Sequence, residues 1–165
     1  MKATIAAAFA IGFVVWAHFG SGRPTFTTDV RSEPGWEGFR AAYGVDSFGI
    51  DGYFVRAVQN GYNLVHHTHK YADRFTRRTE RDRPNACSDC HSVESLAYAF
   101  VISDRFDPRL NKRISFEERV MRCYAQRLDG FIPTIYDPAV RDIRMLARMV
   151  AHHLQLGEGT LEASP

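Results

Sequence analysis

Residues 87–91 read Cys87-Ser88-Asp89-Cys90-His91. The pattern C-x-x-C-H is the attachment sequence of a c-type haem. Two thiols three positions apart on a turn can reach the two vinyl groups of one macrocycle and form thioethers. The adjacent imidazole then lies under the iron as proximal ligand. A redox C-x-x-C needs a thioredoxin-like βαβ context, which this sequence lacks. A zinc site needs a second ligand pair, which Cys123 alone does not supply. The motif occurs once, so Cys87 and Cys90 are expected to carry one covalently bound haem c, with His91 on its iron.

Working outward, the iron needs a sixth ligand or an open site. The candidates downstream are Met121, Cys123, Met145, Met149, His152 and His153; those upstream are His66, His67 and His69. Ser115-Phe116-Glu117-Glu118 is a capping-box pattern and predicts a helix from there to about Arg127, ended by Gly130 and Pro133. At about 100° per residue, Phe116, Val120, Cys123 and Arg127 fall on one stripe of that helix, and Met121 points about 160° away from Cys123. Only one of the two can face the haem, and the apolar stripe chooses Cys123. The competing reading of this third cysteine is a buried, inert thiol. A thiolate ligand would pull the reduction potential down and give a low-potential, low-spin haem.

The flanks are polar. Arg74, Arg77, Arg78, Arg81 and Arg83 crowd before the motif, interleaved with Asp73, Glu80 and Asp82. They read as a solvated loop, or as partners for haem propionates or an acidic docking protein. His66, His67 and His69 could suggest a second metal, but adjacent histidines point apart. His152 and His153 suit the C-terminal end of a helix dipole better than iron.

The remaining sequence is helices joined by long loops. Residues 51–60 form one predicted helix, with Asn60-Gly61 as its stop. Residues 63–84 read as loop-rich surface. Asp137-Pro138 opens a last helix, along which Val140, Ile143, Leu146, Met149 and Val150 recur at helical spacing to about Leu154. No clean alternating run marks a strand. The expected class is all-α: a cytochrome c-like small helical domain around one haem, with long loops and an N-terminal hydrophobic helix.

Ala3 to Ala17 is uncharged and follows a single Lys2, the build of an export signal. Extended to Phe19, the stretch sits at the lower limit for spanning a bilayer, so residues 1–20 are a signal peptide or a retained signal-anchor. Either form delivers the remainder to the periplasmic side. Residues 21–50 then form a linker and N-terminal extension, 51–156 the haem domain, and 157–165 a flexible tail. With 165 residues, 45% hydrophobic and 24% charged, there is one core and no wholesale disorder. A formal charge of +2 argues against nucleic acid as the main partner, and no glycine-rich phosphate loop is present.

The sequence resembles the cytochrome c domain of thiosulfate dehydrogenases and SoxA-type sulfur-oxidation cytochromes. Gly61, Leu64 and Thr68 fit the family pattern upstream of the haem motif, and Glu118-Arg119-Val120-Met121-Arg122-Cys123 fits an acidic-Arg-apolar-x-x-Cys helix. The family's following Arg-Ser-Met-Asn-Gly is here Gln126-Arg127-Leu128-Asp129-Gly130, with only the glycine kept. The likeness covers about Asp51 to Leu156, and it implies that Cys123 is the axial haem ligand opposite His91. Those enzymes usually carry a second haem domain, absent from this sequence, and making tetrathionate removes two electrons where one haem accepts one. The expected function is therefore one-electron transfer by a monohaem c-type cytochrome, as subunit or partner of a larger redox protein or membrane respiratory or photosynthetic complex. The alternatives are a haem-dependent sulfur-compound oxidoreductase and a structural haem subunit.

Overall fold

The computed structural model describes residues 30–48, 52–76 and 86–157. They are mostly helical. In chain order the elements are α1 (Trp36–Ala42), α2 (Val45–Phe48), α3 (Gly52–His66), α4 (Thr68–Tyr71), a 3-10 turn (Asp73–Phe75) and a second 3-10 turn (Cys87–Asp89). Then come α5 (Val93–Val101), β1 (Arg105–Asp107), β2 (Lys112–Ile114), α6 (Phe116–Gln126) and α7 (Pro138–His153).

The core is the crossing of α3 and α7, the two longest helices. From α3 it takes Val58, Leu64 and Val65, and from α7 Val140, Ile143, Leu146 and Val150; none is more than 1% exposed. Each such side chain contributes about 1.5–3 kcal/mol on full burial. Gly61 lies at the closest approach. A Cβ there would stand 2.2 Å from the Asp142 carbonyl oxygen and 2.9 Å from Leu146 Cβ. Asn60-Gly61, read as a stop, is therefore interior to a helix that continues to His66. The glycine is there to let α7 approach, and packing outweighs its poor helix propensity of about 1 kcal/mol. Asn60 works at the same crossing, where its Nδ2 donates to Asp142 Oδ2 at 2.7 Å. Asp142 is 2% exposed, and its other oxygen accepts from Arg141 Nε at 3.0 Å. Burial pushes its carboxyl above the ordinary range, against the lowering effect of both donors.

Part of the stretch read as linker and extension is folded. Trp36, Phe39 and Val45 join the core, and the rings of Trp36 and Phe39 lie 5.6 and 5.1 Å from that of Tyr62 on α3. Residues 63–76, expected to be loop, are mostly the end of α3, α4 and a 3-10 turn. The expectation for Arg77, Arg78, Glu80, Arg81, Asp82 and Arg83 lies outside the described residues. Two short antiparallel strands also appear, pairing Arg105 with Ile114 and Asp107 with Lys112. Each has three residues, and of the six only Ile114 is buried, which is why no alternating pattern marked them.

Helix α6 starts as expected: Ser115 Oγ accepts the Glu118 N–H at 3.2 Å, and the Ser115 N–H donates in return to Glu118 Oε2 at 3.2 Å. Its end differs in detail. Asp129 takes the left-handed turn at φ 50°. Gly130 instead serves close approach, because a Cβ there would stand 1.7 Å from the Phe75 carbonyl oxygen. The last helix is capped by Asp137, whose Oδ1 accepts the Ala139 N–H at 2.9 Å, with Pro138 in its first turn. No helix among the described residues is long and apolar enough to cross a membrane. The apolar segment 3–19 lies outside them.

Candidate haem cavity

Cys87 opens a 3-10 turn that is tied down on both sides. The Ala86 N–H donates to Asp89 Oδ2 at 3.0 Å, and the His91 N–H donates to the Cys87 carbonyl at 3.0 Å. Thr68, fully buried where α4 begins, holds the turn against the end of α3. Its Oγ1 accepts the Cys87 N–H at 3.0 Å, donates to the Leu64 carbonyl at 2.6 Å and lies 3.5 Å from Cys87 Sγ. His91 follows immediately and is exposed, just ahead of Ser92, the cap of α5.

This turn forms one edge of a cavity of about 270 Å³. Cys87 and His91 line it from the motif, Leu96 and Ala99 from α5, Phe116, Val120 and Cys123 from α6, and Ile143 from α7. The stripe Phe116–Val120–Cys123 thus faces inward as its spacing implied. Phe116 is braced from behind by Phe100, edge-on at 5.7 Å. Met121, on the other side of α6, does not line the cavity, and neither do Met145 nor Met149. The wall carries one charge that the sequence reasoning did not single out as a site residue, Arg119, one turn ahead of Cys123. Its spacing of four from Cys123 was the available signal.

The thiols are electrostatic neighbours. Burial pushes Cys87 up to about 12, with smaller upward contributions from Cys123 and Cys90 and a downward one from the Thr68 hydrogen bond. Cys123 is raised chiefly by burial, then by Cys90, while Arg127 lowers it. Cys90 itself is exposed. A buried thiol, a half-buried thiol and an imidazole therefore line one largely apolar cavity, and a third, exposed thiol lies in the same turn. That donor set fits a covalently held haem: paired thiols for thioethers, imidazole and thiolate for iron, and hydrocarbon for the macrocycle. Cys90 and His91 are exposed at the motif turn, whereas Cys87 is buried. No group of three or more His, Cys, Asp or Glu among the described residues could hold a metal ion by side chains alone.

The other histidines lie elsewhere. His66 packs 4.3 Å from the Tyr62 ring, and burial lowers its pKa. His67 Nε2 is 3.8 Å from Glu33, and His69 is exposed. His152 and His153 stand edge-on to Phe48 and Tyr43 at the end of α7. Arg74 is paired with Asp137 and sits over the Phe75 ring.

Comparison of the chain with protein-family models, with curated proteins and with solved structures gives no match.

Proposed function

We propose that this protein is a monohaem c-type cytochrome, cytochrome c-like in fold, that carries single electrons on the periplasmic side as subunit or partner of a larger redox complex. One observation carries the reading: Cys123, distant in sequence from the motif, lines the same apolar cavity as Cys87 and His91. In this reading Cys87 and Cys90 would hold one haem c through thioethers, and His91 and Cys123 would ligate its iron. Bound haem supplies a one-electron ferric/ferrous couple. The chain supplies the rest. Thr68 fixes the Cys87 backbone so that the thiol is positioned before attachment. Leu96, Ala99, Phe116, Val120 and Ile143 exclude water and lower the local dielectric. Cys90 and His91 are exposed, so a haem held there would lie within reach of a redox partner. The resemblance to thiosulfate dehydrogenases and SoxA-type cytochromes supports Cys123 as ligand.

The test is expression with a c-type haem maturation system. Intact mass should equal the chain plus one haem, and the pigment should survive acidified acetone. Cys87→Ala with Cys90→Ala should abolish covalent attachment. Cys123→Met should raise the potential by several hundred millivolts, within the ≈ 0.8 V over which axial ligands set haem potentials. It should also remove thiolate-type EPR features. A colourless or extractable preparation would overturn haem attachment, and an unchanged EPR spectrum would overturn Cys123 as ligand.

A further inference from the structure

The segment between α6 and α7, Phe131-Ile132-Pro133-Thr134-Ile135-Tyr136, carries no charge. Phe131 is 62% exposed, Ile132 60%, Ile135 44% and Tyr136 79%. Single exposed apolar side chains are ordinary, but four in one short loop form a patch of the kind that marks an interaction surface. The loop runs directly into Asp137 and Pro138, which line a cleft of about 480 Å³ together with Arg31, Lys70, Tyr71 and Arg74. Three cations thus face one carboxylate in the cleft wall. Lys70 is paired with Glu33 and Arg74 with Asp137, both at 2.5 Å.

Arg31 also marks where the chain arrives. The described fold begins at Val30, and the apolar segment read as an anchor ends at Phe19. Eleven residues span at most about 40 Å when fully extended. The chain thus enters the described fold beside the cleft into which the apolar loop runs.

We infer that this face lies on a lipid bilayer. The aromatic and aliphatic side chains of 131–136 seat at the boundary between headgroups and acyl chains, where amphipathic rings concentrate. Arg31, Lys70 and Arg74 face anionic headgroup phosphates. The occupant is lipid rather than a soluble protein because the chain's own apolar segment brings a membrane within reach. The cleft shares no lining residue with the apolar cavity at the Cys87 turn. The inference goes beyond the proposed function and rests on residues 3–19 as a membrane segment, not on the haem.

The experiment uses the full chain in vesicles of phosphatidylcholine with phosphatidylglycerol, containing a lipid with a photoactivatable acyl chain. Peptide mass spectrometry then maps the label. Phe106 and Leu110, 57% and 40% exposed on the strand hairpin, are the internal control for apolar exposure. Labelling of 131–136 should exceed the control several-fold, and Phe131→Ser with Tyr136→Ser should remove most of it. Arg31→Gln with Arg74→Gln should reduce it in anionic vesicles and leave it unchanged in pure phosphatidylcholine. Label confined to 3–19, equal at loop and hairpin, or absent would overturn the inference, and this is also the outcome if a protein partner owns the loop. Haem content read on the same sample tests the proposed function separately.

Discussion

Gly61→Ala separates packing from helix propensity, because the two predict opposite signs. The added Cβ would stand 2.2 Å from the Asp142 carbonyl oxygen and 2.9 Å from both the Asp142 carbonyl carbon and Leu146 Cβ. Relief to ordinary contact requires α3 and α7 to part by about 1 Å, since the obstacle is backbone rather than a flexible tip. That loosens Val58, Leu64 and Val65 against Val140, Ile143 and Leu146, all within the buried core. Overpacking costs about 1–3 kcal/mol, and a backbone obstacle places this case at the upper end. Alanine returns about 1 kcal/mol of helix propensity. The net loss is about 2 kcal/mol, or roughly 4–8 °C in Tm for a chain of this size. Gly38→Ala is the matched control: it lies in α1 with nothing within 4 Å of a built Cβ. It should be stabilising by about 0.4–1 kcal/mol. Urea and thermal unfolding followed by far-UV circular dichroism reads both. If Gly61→Ala proves as stable as the parent, or tracks Gly38→Ala upward, the account of the α3–α7 crossing is wrong.

Two further outcomes are expected. Thr68→Val removes the acceptor of the buried Cys87 N–H and should cost about 1–3 kcal/mol. It should also lower the haem-to-protein ratio measured by absorbance, with Thr68→Ser restoring the yield; full yield and stability in the valine variant would refute a positioning role. The Glu33 carboxyl is held below its usual range, first by the Lys70 hydrogen bond and then by that from Tyr71. A carboxyl depressed in the fold adds stability above its unfolded value near 4.3, and that stability is lost as pH falls through the folded value. Glu33→Gln should therefore be less stable than the parent at neutral pH, and the gap should close on acidification toward pH 3. The effect should be modest because Lys70 is half exposed. A gap that does not change with pH in unfolding titrations would count against the sign.

The sequence displayed best what is local. The capping box at Ser115, the Asp137-Pro138 start of α7 and the cavity-facing stripe of α6 depend on neighbours within one or two turns, and all three are present. It displayed poorly what depends on distant chain. Asn60-Gly61 looks like a terminator because nothing nearby shows that Asp142 and Leu146 will press against it. Trp36 and Phe39 read as part of an extension because their partner, Tyr62, sits beyond an apparent linker. The hairpin strands were too short and too exposed to show a period. Of the candidate site, Cys87, His91 and Cys123 were legible from motif and helical phase. Arg119 and Thr68 were visible only as letters in a pattern, since their positions depend on how α6 and α4 meet the motif turn.

The Asn60–Asp142 contact gives the two long helices a single alignment. Apolar stripes tolerate sliding, because one methyl group replaces another. A slip of one turn, about 5.4 Å, would part the half-buried Asn60 amide from the buried Asp142 carboxylate and leave that carboxylate with Arg141 as its remaining partner. The pair thus acts as a vernier: it adds little net attraction, yet it favours one offset of the two helices over the others.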